Sequence, residues 1–475
     1  MLEPDHNSHP SSTTGMVIEM AGIESLKASL QGELLQPDDE GYEAARIVYN
    51  GMIDRHPSLI VRCKDVADVI SAVQFAREHQ LTLSIRGGSH NVTGFAVNDG
   101  GLVVDLSRMK DIRIDPTTRT VRAEGGCTWG ELDLATHPFG LAVPGGIVST
   151  TGIAGLTLGG GVGNLTRPYG LSCDNLLSAD VVTAEGRLIT ASADQNADLF
   201  WGLRGGGGNF GVVTSFEYRL CPAGTVLAGP VFYAIEKSRD AMRFYRDFIA
   251  AAPDELNSYF GFHMLPPAPF VPDHLHGVNV CMILSCYVGP LELGEELVKP
   301  LRQFGPPVLD LLSLMPLPTL NSLFDALLPA GLQHYWKAHF VKELSDEAIE
   351  AHALHGAQVP TYQSGMHLYP INGAAHRIGK DETAFSYRDA HWVANIAAIS
   401  PHPADMPQHI TWVREYWEAL RPYCEAGTYI NFLGDEGEER IKATYQDNYD
   451  RLVALKNKFD PTNLFRMNQN IKPTA

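Results

Sequence analysis

Three glycine-rich loops, each adjoining an extended run, constrain this chain more than any other feature. Arg86-Gly87-Gly88-Ser89-His90-Asn91 follows the run LTLSI, Gly152 to Gly163 reads GIAGLTLGGGVG, and Leu203 to Val213 reads LRGGGGNFGVV. Glycines at 159, 160, 161 and 163 favour neither helix nor regular strand, so another group must approach the backbone closely there. In the first loop, Gly87 and Gly88 allow amide N–H groups to converge into a nest for an anion such as pyrophosphate, and Arg86 adds charge. The second run lacks the Gly-Lys-Ser/Thr ending of a P-loop and the βαβ dinucleotide spacing, so neither ATP nor a Rossmann-bound nicotinamide is indicated. Any one loop could be a plain turn or an irregular buried segment. Three together predict a single long cofactor.

With 475 residues, the chain is too long for one ordinary core, which predicts two domains. The formal charge of -19 repels phosphate backbones and anionic lipid, so neither nucleic acid nor a membrane surface is an expected partner. No run approaches a membrane span, and the start MLEPDHNSHPSSTTG has no basic flank or apolar stretch, which predicts a soluble, cytoplasmic protein with a frayed N-terminus. Seven scattered cysteines without a CxxC pair or Cys/His cluster predict neither a disulfide framework nor a metal site.

The pattern from Ser58 to Pro222 is α+β: a helix from Val66 to His79 capped by Asp65, the strands LTLSI, LVVDL, DIRID and TVRAEGG, and a hairpin in SADVVTAEGRLITAS. Beyond Val226, helices over Ser238 to Ala252, Glu292 to Phe304 and Asp346 to His355 alternate with the strand-like runs VNVCMILSCYVG, YQSGMHLYPI and TYINFL. That alternation predicts an antiparallel sheet covered by helices on one side. Glu436 to Phe459 reads as one amphipathic helix ending at Asp460-Pro461.

RGGSHN, GLTLGGGVG, GGGGNFGVVTSF and FDPTNLFRMNQNIKP, in that order, resemble the FAD-linked oxidases of the berberine bridge enzyme type, from about Ser58 to Pro473. The resemblance implies the vanillyl-alcohol oxidase fold with a PCMH-type FAD-binding domain. Expected bounds are an N-terminal segment over 1–52, the FAD domain over 53–225, a substrate domain over 226–433, and a segment over 434–475 that returns to the flavin. His90 matches the histidine that bonds the flavin 8α-methyl carbon, with Arg86, Gly87, Gly88 and Ser89 on the pyrophosphate side. Val148 stands where plant members and several sugar oxidases carry a second, cysteinyl attachment, so the implied bond is through His90 only. Thr151 matches a position near the flavin face that controls oxygen access. Gly152, Gly155, Gly159, Gly160, Gly163, Asn209, Gly211, Val213, Asn468 and Asn470 complete the implied cofactor contacts.

In such oxidases a substrate carbon gives hydride to flavin N5 while a base removes a proton, often from a hydroxyl. Tyr429-Ile430-Asn431-Phe432 matches a Tyr-x-Asn-Tyr segment whose last tyrosine is the base in several members, and here that residue is Phe432. Strand alternation would put Tyr429 and Asn431 on one face and Phe432 on the other. His367 and Tyr369, two apart in GMHLYPI, and Tyr335 are further candidates, although a packed tyrosine or structural histidine is the commoner use of such residues. The expected activity is oxidation of a small alcohol, phenol, amine or sugar, with O2 as acceptor and H2O2 as product, by a monomer or homodimer. A dehydrogenase using another acceptor, a flavin-dependent oxygenase, and a non-catalytic flavin-binding protein are the alternatives.

Overall fold

The computed structural model describes residues 20–474, so the expected N-terminal fraying lies mainly outside the described residues. Asp65 starts the helix Val66–Glu78 by accepting from the backbone N–H groups of Ala67 (2.9 Å) and Asp68 (3.2 Å). Val69, Ala72, Val73 and Ala76 are fully buried on one side of this helix, against Leu59, Val61, Leu102 and Val104 of a four-stranded sheet. In that sheet Leu59–Arg62 and Leu83–Arg86 flank Leu102–Asp105 in parallel, and Glu33–Leu35 closes the edge antiparallel. A second sheet of five antiparallel strands runs Ile112–Asp115, Thr120–Glu124, Val212–Arg219, Leu176–Val182, Leu188–Ser192. The predicted hairpin is the last strand pair of this order, and its turn carries Gly186 at φ 75°.

An eight-stranded antiparallel sheet forms the other half of the molecule, with Asn279–Tyr287, Leu256–Met264, Gly365–Pro370, Trp392–Ser400 and Gln333–Val341 as successive neighbours. Period-two alternation gives it two unlike faces. Phe260, Phe262, Met366, Leu368, Ala394 and Ile396 point to the helices Ser238–Ala251, Asp346–Gly356 and Met406–Leu420 in one continuous core. The opposite face carries His263, His367, Tyr369, Asn395 and Trp336 and lines the cavity described below. The α+β architecture with helices on one side of the sheet is the one expected.

Two local expectations fail. TYINFL forms a 3-10 turn, Ile430–Phe432, in which the Phe432 N–H bonds back to the Tyr429 carbonyl. Phe432 therefore lines the same cavity as Tyr429 and Asn431 rather than facing away. The C-terminal helix is broken into Glu438–Tyr445 and Tyr449–Phe459 at Gln446, whose φ is 47°. An amphipathic pattern can persist across such a break, so periodicity alone does not show it.

Candidate active site

The three glycine loops and the polar face of the large sheet enclose one cavity of about 350 Å³. Gly87, Gly88, Ser89, His90, Val148, Thr151, Gly152, Gly155, Asn209, Gly211, Val213 and Asn468 line it, as do His367, Tyr369, Tyr429 and Asn431. The first two loops are in backbone contact: a Cβ on Gly88 would fall 2.2 Å from the Gly152 nitrogen, and one on Gly152 would fall 2.3 Å from the Gly88 nitrogen. Gly155, by contrast, has nothing within 4 Å of its Cβ position, leaving open backbone beside the cavity.

Other expected contacts sit differently. Arg86 turns away from the cavity, donating to the Ala45 carbonyl and lying 4.0 Å from Asp105, so buried protein partners have claimed the charge expected for pyrophosphate. Gly159 is crowded by the Asn431 side chain, Gly160 by Phe385 and Tyr429, and Gly163 by the Gly145 carbonyl. These glycines make room for protein rather than for the cavity. Asn470 also lies off the cavity wall, whereas Gln469 lines it and donates to the Leu433 carbonyl (2.8 Å).

His90 stacks on Tyr49, with ring centroids 3.8 Å apart and planes at 16°. Its Nε2 lies 3.0 Å from the Thr150 hydroxyl and its Nδ1 3.3 Å from the Thr151 hydroxyl. One edge opens on the cavity, yet protein surrounds the ring closely enough that burial, with nearby His334, pushes its pKa down to about 3. The imidazole is therefore neutral and keeps a lone pair.

The returning C-terminus is locked by an ion pair with no exposed side-chain surface. Lys456 Nζ donates to Asp460 (2.7 Å) and to the Asn209 and Phe465 carbonyls (2.9 Å each). Asp460 accepts the backbone N–H groups of Leu464 and Phe465, both at 2.8 Å. This pair ties the third glycine loop to the segment that brings Phe465, Met467 and Asn468 to the cavity.

On the sheet side, Tyr369, His367 and His263 form a hydrogen-bonded chain. The Tyr369 hydroxyl is 2.6 Å from His367 Nδ1, and His367 Nε2 is 2.7 Å from His263 Nε2. Burial pushes the His263 pKa down to about 4 and His367 well below its ordinary value, while Tyr369 is pushed up. All three are neutral, and the bonds can be drawn with donors running in either direction. Tyr429 is engaged otherwise: its oxygen accepts from Gly161 N (2.8 Å), Val162 N (3.3 Å) and Asn431 Nδ2 (2.7 Å). Burial outweighs these donors and raises its pKa to about 12. Tyr335 lies off the cavity and accepts from Arg414 (3.2 Å).

A family profile described as FAD binding domain matches residues 57–192, and one described as berberine and berberine like matches 428–472. An FAD-linked oxidoreductase of Dictyostelium discoideum is 33% identical over 451 residues, covering 94% of this chain and 95% of that protein. The chain belongs to the berberine-type FAD-linked oxidoreductases. This oxidoreductase is also 32% identical over 462 residues to the (R)-6-hydroxynicotine oxidase of Paenarthrobacter nicotinovorans, covering 94% of the chain and 97% of that protein. The crystal structure of 6-hydroxy-D-nicotine oxidase from Arthrobacter nicotinovorans superposes with a TM-score of 0.84 at 29% identity, covering 94% and 98% of the two chains. Glucooligosaccharide oxidase from Acremonium strictum shares the fold at TM-score 0.84 and 23% identity, over 96% of this chain and all of that one. No helix among the described residues of the oxidoreductase is long and apolar enough to cross a membrane.

Sequence reasoning missed several residues of the cavity wall. Tyr49, from the segment before the FAD-domain strands, had no motif around it. His263 and His334 reach the wall only through strand pairing, His263 opposite Gly365 and His334 opposite Ile399, separations that no local pattern signals. The usable signal was alternation: once His367 and Tyr369 are assigned to one face, the neighbouring strands' polar residues become candidates.

Proposed function

We propose that the oxidoreductase is an oxidase that carries FAD covalently through His90 and oxidises a small organic substrate at the polar face of the large sheet. The neutral His90 ring on the cavity wall carries the reading. A cavity floored by glycine backbone, with apolar Leu83, Ile85, Val148 and Leu158 in its walls, fits a long cofactor with flat apolar rings. Asn468 adds a buried Oδ1 with no protein partner. Bound FAD supplies a two-electron acceptor that O2 regenerates with release of H2O2.

The protein's part is positioning and proton handling. Thr150, Thr151 and Tyr49 fix the His90 ring in one orientation, with each ring nitrogen within hydrogen-bond distance of a threonine hydroxyl. Val148 offers no thiol, leaving one attachment. Tyr369 takes the substrate hydroxyl proton as it hands its own to His367 Nδ1, and the His367 Nε2 proton moves to His263 Nε2. Tyr429 and Asn431 hold the Gly160–Val162 turn against the cavity. Residues 53–225 form the FAD domain, 226–433 the substrate domain, and 434–475 the returning segment. The catalytic unit is a monomer or homodimer.

Oxygen use is tested without knowing the substrate. The holoenzyme is photoreduced under nitrogen and mixed with aerated buffer while flavin absorbance and peroxide are followed. Complete reoxidation within seconds, with one peroxide per flavin, supports the oxidase reading; reoxidation over many minutes assigns a different acceptor.

A further inference from the structure

Not one of the described residues lining the cavity is Asp, Glu, Lys or Arg. The charged neighbours of Phe324 and Trp336, on the sheet side, are occupied elsewhere. Asp325, next to the wall residue Phe324, accepts from the Ser149 backbone (3.1 Å) and hydroxyl. Lys337, next to Trp336, pairs with Glu436 at 3.2 Å and sits over the Trp417 ring. The histidines add no charge, because burial pushes His334 and His263 down to about 4 and His367 well below its ordinary value.

The wall does have polar atoms to offer, but few. Asn395 Oδ1, Trp336 Nε1 and both ring nitrogens of His334 are buried and have no partner in the protein. They supply one fixed acceptor, one fixed donor and one ring that can act as either. Around them the surface is Phe324, Leu327, Leu328, Ile399 and Phe432.

We infer that the substrate is an uncharged, mainly apolar alcohol or phenol, and that organic cations, carboxylates and free sugars are rejected. The inference rests on the oxidase reading and narrows it. An ammonium or carboxylate held against the sheet-side wall would lose its water and meet neither an opposite charge nor the backbone amides that the glycine loops offer a phosphate. A sugar would leave most of its hydroxyls against Phe324, Leu327 and Leu328 without partners, and each unpaired buried hydroxyl weakens binding. A ring compound with one or two oxygens, in contrast, buries its apolar body there and satisfies the few free wall atoms.

The test titrates the holoenzyme with 2-naphthalenemethanol, 2-naphthylmethylammonium, 2-naphthoate and glucose. Binding is read by perturbation of the flavin spectrum and by the ligand-induced rise in melting temperature. The neutral alcohol should bind at least tenfold more tightly than the other three. Asn395→Asp places a carboxylate in the wall and should shift the ratio of ammonium to alcohol affinity at least tenfold toward the ammonium. A charged probe or glucose binding as well as the alcohol, no response to any of the four, or an unchanged ratio in N395D would each overturn the inference. Protein that purifies without a flavin spectrum would refute the flavin reading instead, and the melting-temperature series would still decide the ligand preference.

Discussion

Replacing Lys456 with methionine should destabilise the oxidoreductase and loosen its cofactor together. Methionine keeps most of the lysine's volume, so the loss is electrostatic rather than a cavity effect. Lys456 and Asp460 are both fully buried, and the lysine holds one carboxylate oxygen and two backbone carbonyls. Removing one partner of such a pair costs about 3 to 5 kcal/mol, because the remaining charge stays buried. Asp460 keeps two backbone donors, at Leu464 and Phe465, which favours the lower end of that range. For cooperative unfolding of a 475-residue chain, a loss of this size corresponds to a fall in melting temperature of roughly 3 to 5 °C. The double variant Lys456→Met, Asp460→Asn removes both charges and should recover more than half of the loss. Unfolding is followed by circular dichroism, and flavin exposure by its fluorescence on the same ramp. A single variant melting within about 1 °C of wild type, with flavin fluorescence unchanged, would refute the view that this pair pins the returning segment.

Further outcomes follow from the same structure. Tyr369→Phe and His367→Gln should keep normal flavin content while slowing flavin reduction by substrate about 10²-fold or more; reduction at the wild-type rate would remove the pair from proton transfer. Gly88→Ala should lower flavin content and melting temperature sharply, since its Cβ would collide with the Gly152 backbone, whereas Gly155→Ala should fold normally. Asp133, buried beside Asn321, has its carboxyl pushed up to about 7 by burial, so the folded state favours its protonated form. Its contribution is full below about pH 4 and is lost as pH rises toward 7, at about 1.4 kcal/mol per pH unit at most. Asp133→Asn should therefore gain on wild type as pH increases, and parallel stability profiles for the two proteins would contradict this.

Backbone features were the most legible in the sequence. Glycine runs report where another group approaches the chain, and Asp65 before an apolar period reports a helix start, because both are local rules. The same rules could not say what approaches. Gly88 and Gly155 lie on the cavity, while Gly159, Gly160 and Gly163 give space to Asn431, Phe385, Tyr429 and a neighbouring carbonyl. Arg86 lies off the cavity wall because a side chain's direction depends on tertiary partners, here the Ala45 carbonyl and Asp105. His263, which completes the chain from Tyr369, lies 104 residues from His367 in sequence and meets it only across paired strands.

The bond between His90 and FAD is tested by acid precipitation. Purified wild-type protein and a His90→Ala variant are denatured in trichloroacetic acid, and flavin fluorescence is measured in pellet and supernatant. With the histidyl bond in place, flavin stays in the wild-type pellet and none is found in the variant pellet. Flavin released from both proteins would contradict the covalent link.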